Sequence, residues 1–301
     1  MTKRLLCTTL AVFLCLGVLC ACSYASSSQE GNASDSPQAA NSASADQTNA
    51  SASDATGNSN SGTTTQQQSP DTRAADFAVD PARKDWNYEA PATKTVYLTF
   101  DDGPSENTQR VLDVLDRYGV KATFFVTGMH PDYFPMIAKC YEAGHTIGMH
   151  TYTHDYDKVY ASVDAYWNDL NQIADVVREQ IGYVPCFIRF PGGSSNTISA
   201  NYTKGIMTEL AQEVQDAGYQ YYDWDASCGD GAEHTADELV EATMADTSYG
   251  YKSIVFLMHD GVAKESTVEA LPRIIEYFKQ EGYEFAPIDR NTCVPHHGIG
   301  N

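Results

Sequence analysis

From Trp86 onward the chain alternates short apolar runs with longer runs of helical spacing, and this alternation constrains the fold more than any other feature. Val96–Phe100, Ala122–Val126, Thr146–Met149, Cys186–Phe190, Gln220–Trp224 and Ile254–Met258 read as strands. The intervening segments Thr108–Tyr118, Pro131–Ala143, Val163–Ile181, Ile206–Ala217, Ala236–Ala245 and Val268–Gln280 carry apolar residues at helical spacing. Four of them stop at a glycine: Gly119, Gly144, Gly218 and Gly282. Strands separated by helices of this length predict an α/β fold with a parallel sheet and right-handed crossovers. About seven such units predict a barrel, in which chemistry gathers at the C-terminal ends of the strands.

Upstream of this region the pattern differs. Lys3 and Arg4 precede an apolar stretch from Leu5 to about Gly17, the layout of a secretory signal peptide rather than a spanning helix. The stretch ends in Leu19-Cys20-Ala21-Cys22, which resembles a bacterial lipobox and makes Cys22 the candidate lipid anchor; an ordinary cleavage near Ala25 is the alternative. From Ser23 to about Ala75 the chain is rich in Ser, Ala, Asn, Thr and Gln, too polar to offset its ordering entropy. A flexible coil of about 50 residues spans on the order of 40 Å. The expected organisation is a leader over 1–22, a disordered tether over 23–85 and a folded domain over 86–301. The chain is thus expected on the outer face of a bacterial cytoplasmic membrane, in the envelope.

The formal net charge of -21 repels phosphate backbones and excludes nucleic acid as a partner. Outside the leader the cysteines are Cys140, Cys186, Cys228 and Cys293. An exported chain permits disulfides among them, and free buried thiols are the other reading. Their wide spacing argues against a structural zinc site.

The residues that carry chemistry fall at strand ends. Asp101 and Asp102, in Thr99-Phe100-Asp101-Asp102-Gly103-Pro104, are two adjacent carboxylates that repel unless a cation offsets them. His150 and His154, four residues apart just after a strand, place two imidazoles within reach of one metal. With either carboxylate they make a two-histidine, one-carboxylate set that leaves open positions, as catalytic metal sites do. Arg189, in Arg189-Phe190-Pro191-Gly192-Gly193, can pair with the remaining carboxylate, and the glycine amides can face an oxyanion. Trp224 and Asp225 end the next strand, and Leu257-Met258-His259 the last clear one. Tyr152, Tyr156, Tyr160 and Tyr166, close after the histidine pair, are candidates for stacking on a ligand or for helix packing.

In this order the five motifs resemble those of the polysaccharide deacetylase family, carbohydrate esterase family four, with its NodB-like domain. The likeness spans about Thr95 to Pro287. It implies a distorted (β/α)7 barrel and hydrolytic removal of acetyl groups from sugars. It further implies that Asp102, His150 and His154 bind a divalent metal, usually Zn2+, with Co2+, Ni2+ or Mn2+ as alternatives. Asp101 is the implied general base, Arg189 its orienting partner and His259 the general acid. Pro191, Gly192, Trp224, Asp225 and Leu257 are the implied substrate-binding set. Two departures stand out. Gly192 replaces the tyrosine found in many members, and Cys228-Gly229-Asp230-Gly231 replaces the usual Asp-Trp run, so either Asp225 or Asp230 can tune His259. The envelope location and the Arg189–Gly193 motif favour peptidoglycan as substrate. Chitin oligosaccharides, xylan or an exopolysaccharide are alternatives, as is an inert carbohydrate-binding or zinc-acquiring lipoprotein, with His296-His297 the one hint of the last. A monomer is expected.

Overall fold

All seven residues of Thr95–Asp101 are buried, as a strand covered on both faces of a parallel sheet must be. In the computed structural model, which describes residues 72–301, the chain runs α1 (Arg73–Phe77), β1 (Thr95–Asp101), α2 (Glu106–Tyr118), β2 (Thr123–Thr127), α3 (Pro135–Glu142), β3 (Thr146–Thr151), α4 (Tyr156–Val159), α5 (Val163–Ile181) and β4 (Phe187–Ile188). It continues with α6 (Ile206–Asp216), β5 (Gln220–Tyr221), β6 (Ala226–Ser227), α7 (Ala236–Asp246), β7 (Ser253–His259), α8 (Glu265–Gln280) and β8 (Glu284–Phe285). Helix starts follow local chemistry: Ser105 and Thr108 form a reciprocal cap on α2, and Thr235 with Glu238 does the same for α7.

The strands lie in the order β5-β4-β3-β2-β1-β7-β6, with β8 paired to the start of β1, and every pair is parallel. This is the curled α/β half-barrel expected from the alternation. It is distorted because β5 and β6, the two ends of the path, do not pair. The segment after β8 bridges that gap: the Asp223 N–H donates to the Pro295 carbonyl, and the His297 N–H donates to the Asp223 carboxylate. Strands β6 (Ala226–Ser227) and β8 (Glu284–Phe285) are as short as β4 and β5 but lack the longer apolar or aromatic run around them, which is why the sequence did not predict them.

Alternation along each strand sorts the side chains. Val96, Leu98 and Phe100 face the helices in the large core. Tyr97 belongs instead to an inner cluster with Phe125, Phe187, Tyr222, Val255 and Ile288. Two residues further along the same inner phase lie Thr99, Arg189 and Leu257, and beyond them Asp101 and His259. The inner face is therefore apolar low in the barrel and ionisable at its rim.

The domain boundary lies earlier than residue 86. Phe77 and Val79 pack onto the inner cluster, the Val79 N–H donates to Val184, and the Cys186 N–H donates to Phe77. The Phe77 and Phe187 rings meet edge to face at 5.2 Å. A few apolar residues in a polar stretch suffice to order it once the barrel supplies partners, so residues 72–85 belong to the folded body. Cys140, Cys186, Cys228 and Cys293 are all unpaired thiols, the first three buried. The leader, Cys22 and the tether up to residue 71 lie outside the described residues.

Candidate active site

Parallel pairing of β1 with β7 sets Asp101 directly opposite His259. Asp101 is buried, and its Oδ1 accepts from Arg189 Nη1 at 2.8 Å. Arg189 has no exposed surface and is held on all sides: Nε donates to the Tyr222 carbonyl at 2.9 Å, Nη2 to the Asp223 carbonyl at 3.0 Å and Nη1 also to Thr99 Oγ1 at 2.8 Å. Its guanidinium lies 4.3 Å above the Phe125 ring. Burial pushes the Asp101 carboxyl above the usual carboxylate range, against the opposing charges of Arg189 and His259.

Asp102 and the two histidines form a second cluster. Asp102 Oδ1 stands 3.7 Å from His150 Nε2 and 3.4 Å from His154 Nε2. These separations are too long for hydrogen bonds. Ligand atoms held by one tetrahedral ion at about 2.0–2.2 Å stand roughly 3.4 Å apart. Asp102 Oδ1 is moreover buried with no hydrogen-bond donor among the described residues, an arrangement that costs free energy unless a cation fills it. His150 Nδ1 lies 2.7 Å from the Arg189 carbonyl, which as acceptor places the proton on Nδ1 and leaves the Nε2 lone pair for a metal. Burial brings the His150 imidazole down to about 3, so it is neutral, as a ligand must be. Asp102 and His154 both adopt left-handed backbone, φ 70° and 51°, which aims them into the cluster. The donor set fits a divalent cation.

The partner of His259 is Asp230. Asp230 Oδ1 lies 2.8 Å from His259 Nδ1, and its Oδ2 accepts from the His259 N–H and from Thr267 Oγ1, both at 2.8 Å. Burial alone lowers the imidazole; the Asp230 hydrogen bond and charge outweigh it and push His259 up to about 9. Asp225, expected among the substrate-binding residues, is committed elsewhere: its Oδ2 accepts from the Val255 N–H at 2.8 Å and its own N–H donates to the Val255 carbonyl at 2.9 Å. That reciprocal pair joins the start of the edge strand β6 to β7.

The remaining predicted residues line one side of the rim. Trp224 is half-buried against Gly193, where a Cβ would stand 3.0 Å from the indole, so only glycine permits this approach. Leu257 is buried one inner step below His259. The Pro191 carbonyl accepts from Tyr160 Oη at 2.8 Å, and the Gly192 N–H donates to no acceptor among the described residues. Of the four tyrosines after the histidine pair, Tyr160 and Tyr166 have no exposed surface and take the packing role, their rings lying against Tyr156 and Phe190 respectively. His296 and His297 both have ring partners within the fold. His296 stacks on Tyr221 at 3.9 Å, while His297 Nε2 meets the Trp224 carbonyl at 2.7 Å and its Nδ1 meets Ser195 Oγ at 3.2 Å. His297 thus fastens the Trp224 and Ser195 loops, a role with no local signal in the sequence. Asp260 was also missed. It is fully enclosed behind Gly103, where an added Cβ would fall 2.3 Å from its Oδ1, and burial pushes its carboxyl up to about 7.

A strand-end acid–arginine pair, a two-histidine carboxylate cluster and an acid-paired histidine on one barrel rim define a class of hydrolytic site. The polysaccharide deacetylase family model matches residues 88–221. A peptidoglycan-N-acetylglucosamine deacetylase of Bacillus cereus is 31% identical over 209 residues, covering 67% of this chain and 72% of that protein. The Bacillus subtilis protein YheN is 33% identical over 209 residues, covering 68% and 70%. The solved catalytic domain of a peptidoglycan N-acetylglucosamine deacetylase from Eubacterium rectale superposes with a TM-score of 0.69 at 42% identity, covering 74% of this chain and all of that one. The chain belongs to the polysaccharide deacetylase family, carbohydrate esterase family four, and is a hydrolase.

Proposed function

We propose that the protein removes N-acetyl groups from amino sugars of peptidoglycan, using a divalent metal, zinc in the first instance, held by Asp102, His150 and His154. The observation that carries this reading is the shared rim, where Asp101, the Asp102 cluster and His259 converge from β1, β3 and β7. The names of the Bacillus cereus and Eubacterium rectale relatives support peptidoglycan as the substrate.

When bound, the metal supplies Lewis acidity, polarising a carbonyl and lowering the pKa of water toward about 7. Asp101, oriented by Arg189 and raised by burial, accepts the proton of the attacking water. The free Gly192 N–H faces the developing oxyanion. His259, held protonated by Asp230, donates to the leaving nitrogen, which must depart as an amine. Trp224 and Leu257 enclose the acetyl methyl. Water adds to the carbonyl carbon, the C–N bond breaks, and acetate and a free amino sugar result.

Chelation tests the metal requirement. Acetate release from N-acetylglucosamine oligomers is expected to stop on dialysis against a chelator and to return on adding zinc; full activity in demetallated protein sinks the reading. The acid assignment has its own signature. His259 donates only while protonated, so activity falls as pH rises through its pKa. Asp230→Asn removes the carboxylate that raises that pKa, so the alkaline limb of the kcat/KM profile moves to lower pH, by on the order of one unit. An unmoved limb assigns the proton donor elsewhere. The motif at Leu19–Cys22 supports an exported, lipid-anchored location, which fractionation finding the mature chain only in the medium contradicts.

A further inference from the structure

Beside His154 stands a group that the mechanism above does not use. Tyr156 opens α4 two residues after His154, and its ring meets the His154 ring edge to face at 6.0 Å. It also packs edge to face on Tyr160 at 5.4 Å, and Tyr160 is itself fixed by its hydroxyl to the Pro191 carbonyl. The Tyr156 ring is therefore held in one orientation between the histidine cluster and the loop of Pro191 and Gly192. Its hydroxyl comes so close to Gly192 that a Cβ added there would stand 2.4 Å from Oη. That hydroxyl makes no hydrogen bond among the described residues, although it lies in a crowded, half-buried place. The adjoining Gly192 N–H is likewise without an acceptor. Two unpartnered donors, one backbone and one phenolic, thus stand side by side at the edge of the Asp102, His150 and His154 cluster.

We propose that the Tyr156 hydroxyl is a second oxyanion donor, acting with the Gly192 N–H on the former acetyl oxygen as negative charge develops there. The proposal rests on the deacetylase reading. A phenolic O–H is neutral at neutral pH and can donate without itself being deprotonated. Preorganised donors of this kind act on the transition state more than on the bound substrate, so removing one lowers kcat rather than raising KM. The absence of a side chain at Gly192 is then a requirement: the space is occupied by the Tyr156 hydroxyl.

The test is steady-state kinetics of Tyr156→Phe on an N-acetylglucosamine tetramer, beside wild type, with the bound zinc of each measured. Phenylalanine keeps the ring and its packing on His154 and Tyr160, so a purely structural tyrosine loses nothing. The expected result is a fall in kcat of about 10–100-fold, with KM and zinc content near the wild-type values. A kcat within twofold of wild type overturns the proposal. So does a raised KM with kcat intact, which makes the hydroxyl a ground-state contact to the sugar, and so does loss of zinc, which makes it a support for His154. A zinc-bound wild type that releases acetate neither from the tetramer nor from peptidoglycan overturns the deacetylase reading itself and the tyrosine's role with it.

Discussion

Asp101→Asn is expected to lower kcat by about 10²–10⁴-fold while leaving the bound metal unchanged. Asparagine has the size of aspartate, and its carbonyl oxygen can still accept from Arg189 Nη1, so the rim keeps its shape. What it loses is the ability to take a proton from water. Asp102 differs by one residue in sequence and by its whole environment in space. Its Oδ1 faces two imidazoles and no hydrogen-bond donor, whereas Asp101 Oδ1 faces a guanidinium. Acetate release assayed together with metal analysis separates the two roles. Retention of more than a tenth of the activity, or loss of metal from Asp101→Asn, overturns the division between base and ligand.

The second large effect is on stability. Arg189→Leu removes the guanidinium in contact with Asp101 and leaves the Tyr222 and Asp223 carbonyls and Thr99 Oγ1 without it. Removing one member of a buried ion pair costs about 3–5 kcal/mol, because the other charge stays buried and unpaired. The variant is therefore expected to unfold at markedly lower denaturant concentration. Asp101→Asn added to it relieves the stranded charge, so the double variant is expected to be more stable than Arg189→Leu alone. Denaturant midpoints of the four proteins measure this coupling. A cost below about 1 kcal/mol for Arg189→Leu, or no recovery in the double variant, contradicts the pairing as a structural element.

The residues legible in the sequence share one property: each sits in, or just beyond, an apolar run that reads as a strand. Asp101 closes a seven-residue strand and His259 another, so their rim positions follow from the strands themselves. His150 and His154 were legible because four residues separate them. The residues whose roles stayed open or escaped act across long separations. Asp230 reaches His259 from a loop 29 residues away, and nothing local distinguishes it from Asp225, whose carboxylate turns to Val255 instead. His297 fastens Trp224 from 73 residues away. Whether Tyr160 and Tyr166 stack on a ligand or pack in the core stayed open, because aromatic residues beside a site look alike in sequence whether they face solvent or core. The ordering of residues 72–85 was hidden for a related reason: Phe77, Val79 and Trp86 are too few to suggest a fold until the inner cluster offers them Phe187.

The most direct measurement is mass spectrometry of muropeptides from purified peptidoglycan treated with the zinc-loaded protein, with Asp101→Asn as control. Loss of one acetyl mass from amino sugars, seen with the wild-type protein and absent from the control, is the expected result, and fragmentation locates the sugar. Unchanged muropeptides, from protein that carries zinc and releases acetate from chitin oligomers or xylan, contradict peptidoglycan as the substrate. Unchanged muropeptides with no acetate released from any of these polymers contradict the catalytic reading of the rim altogether.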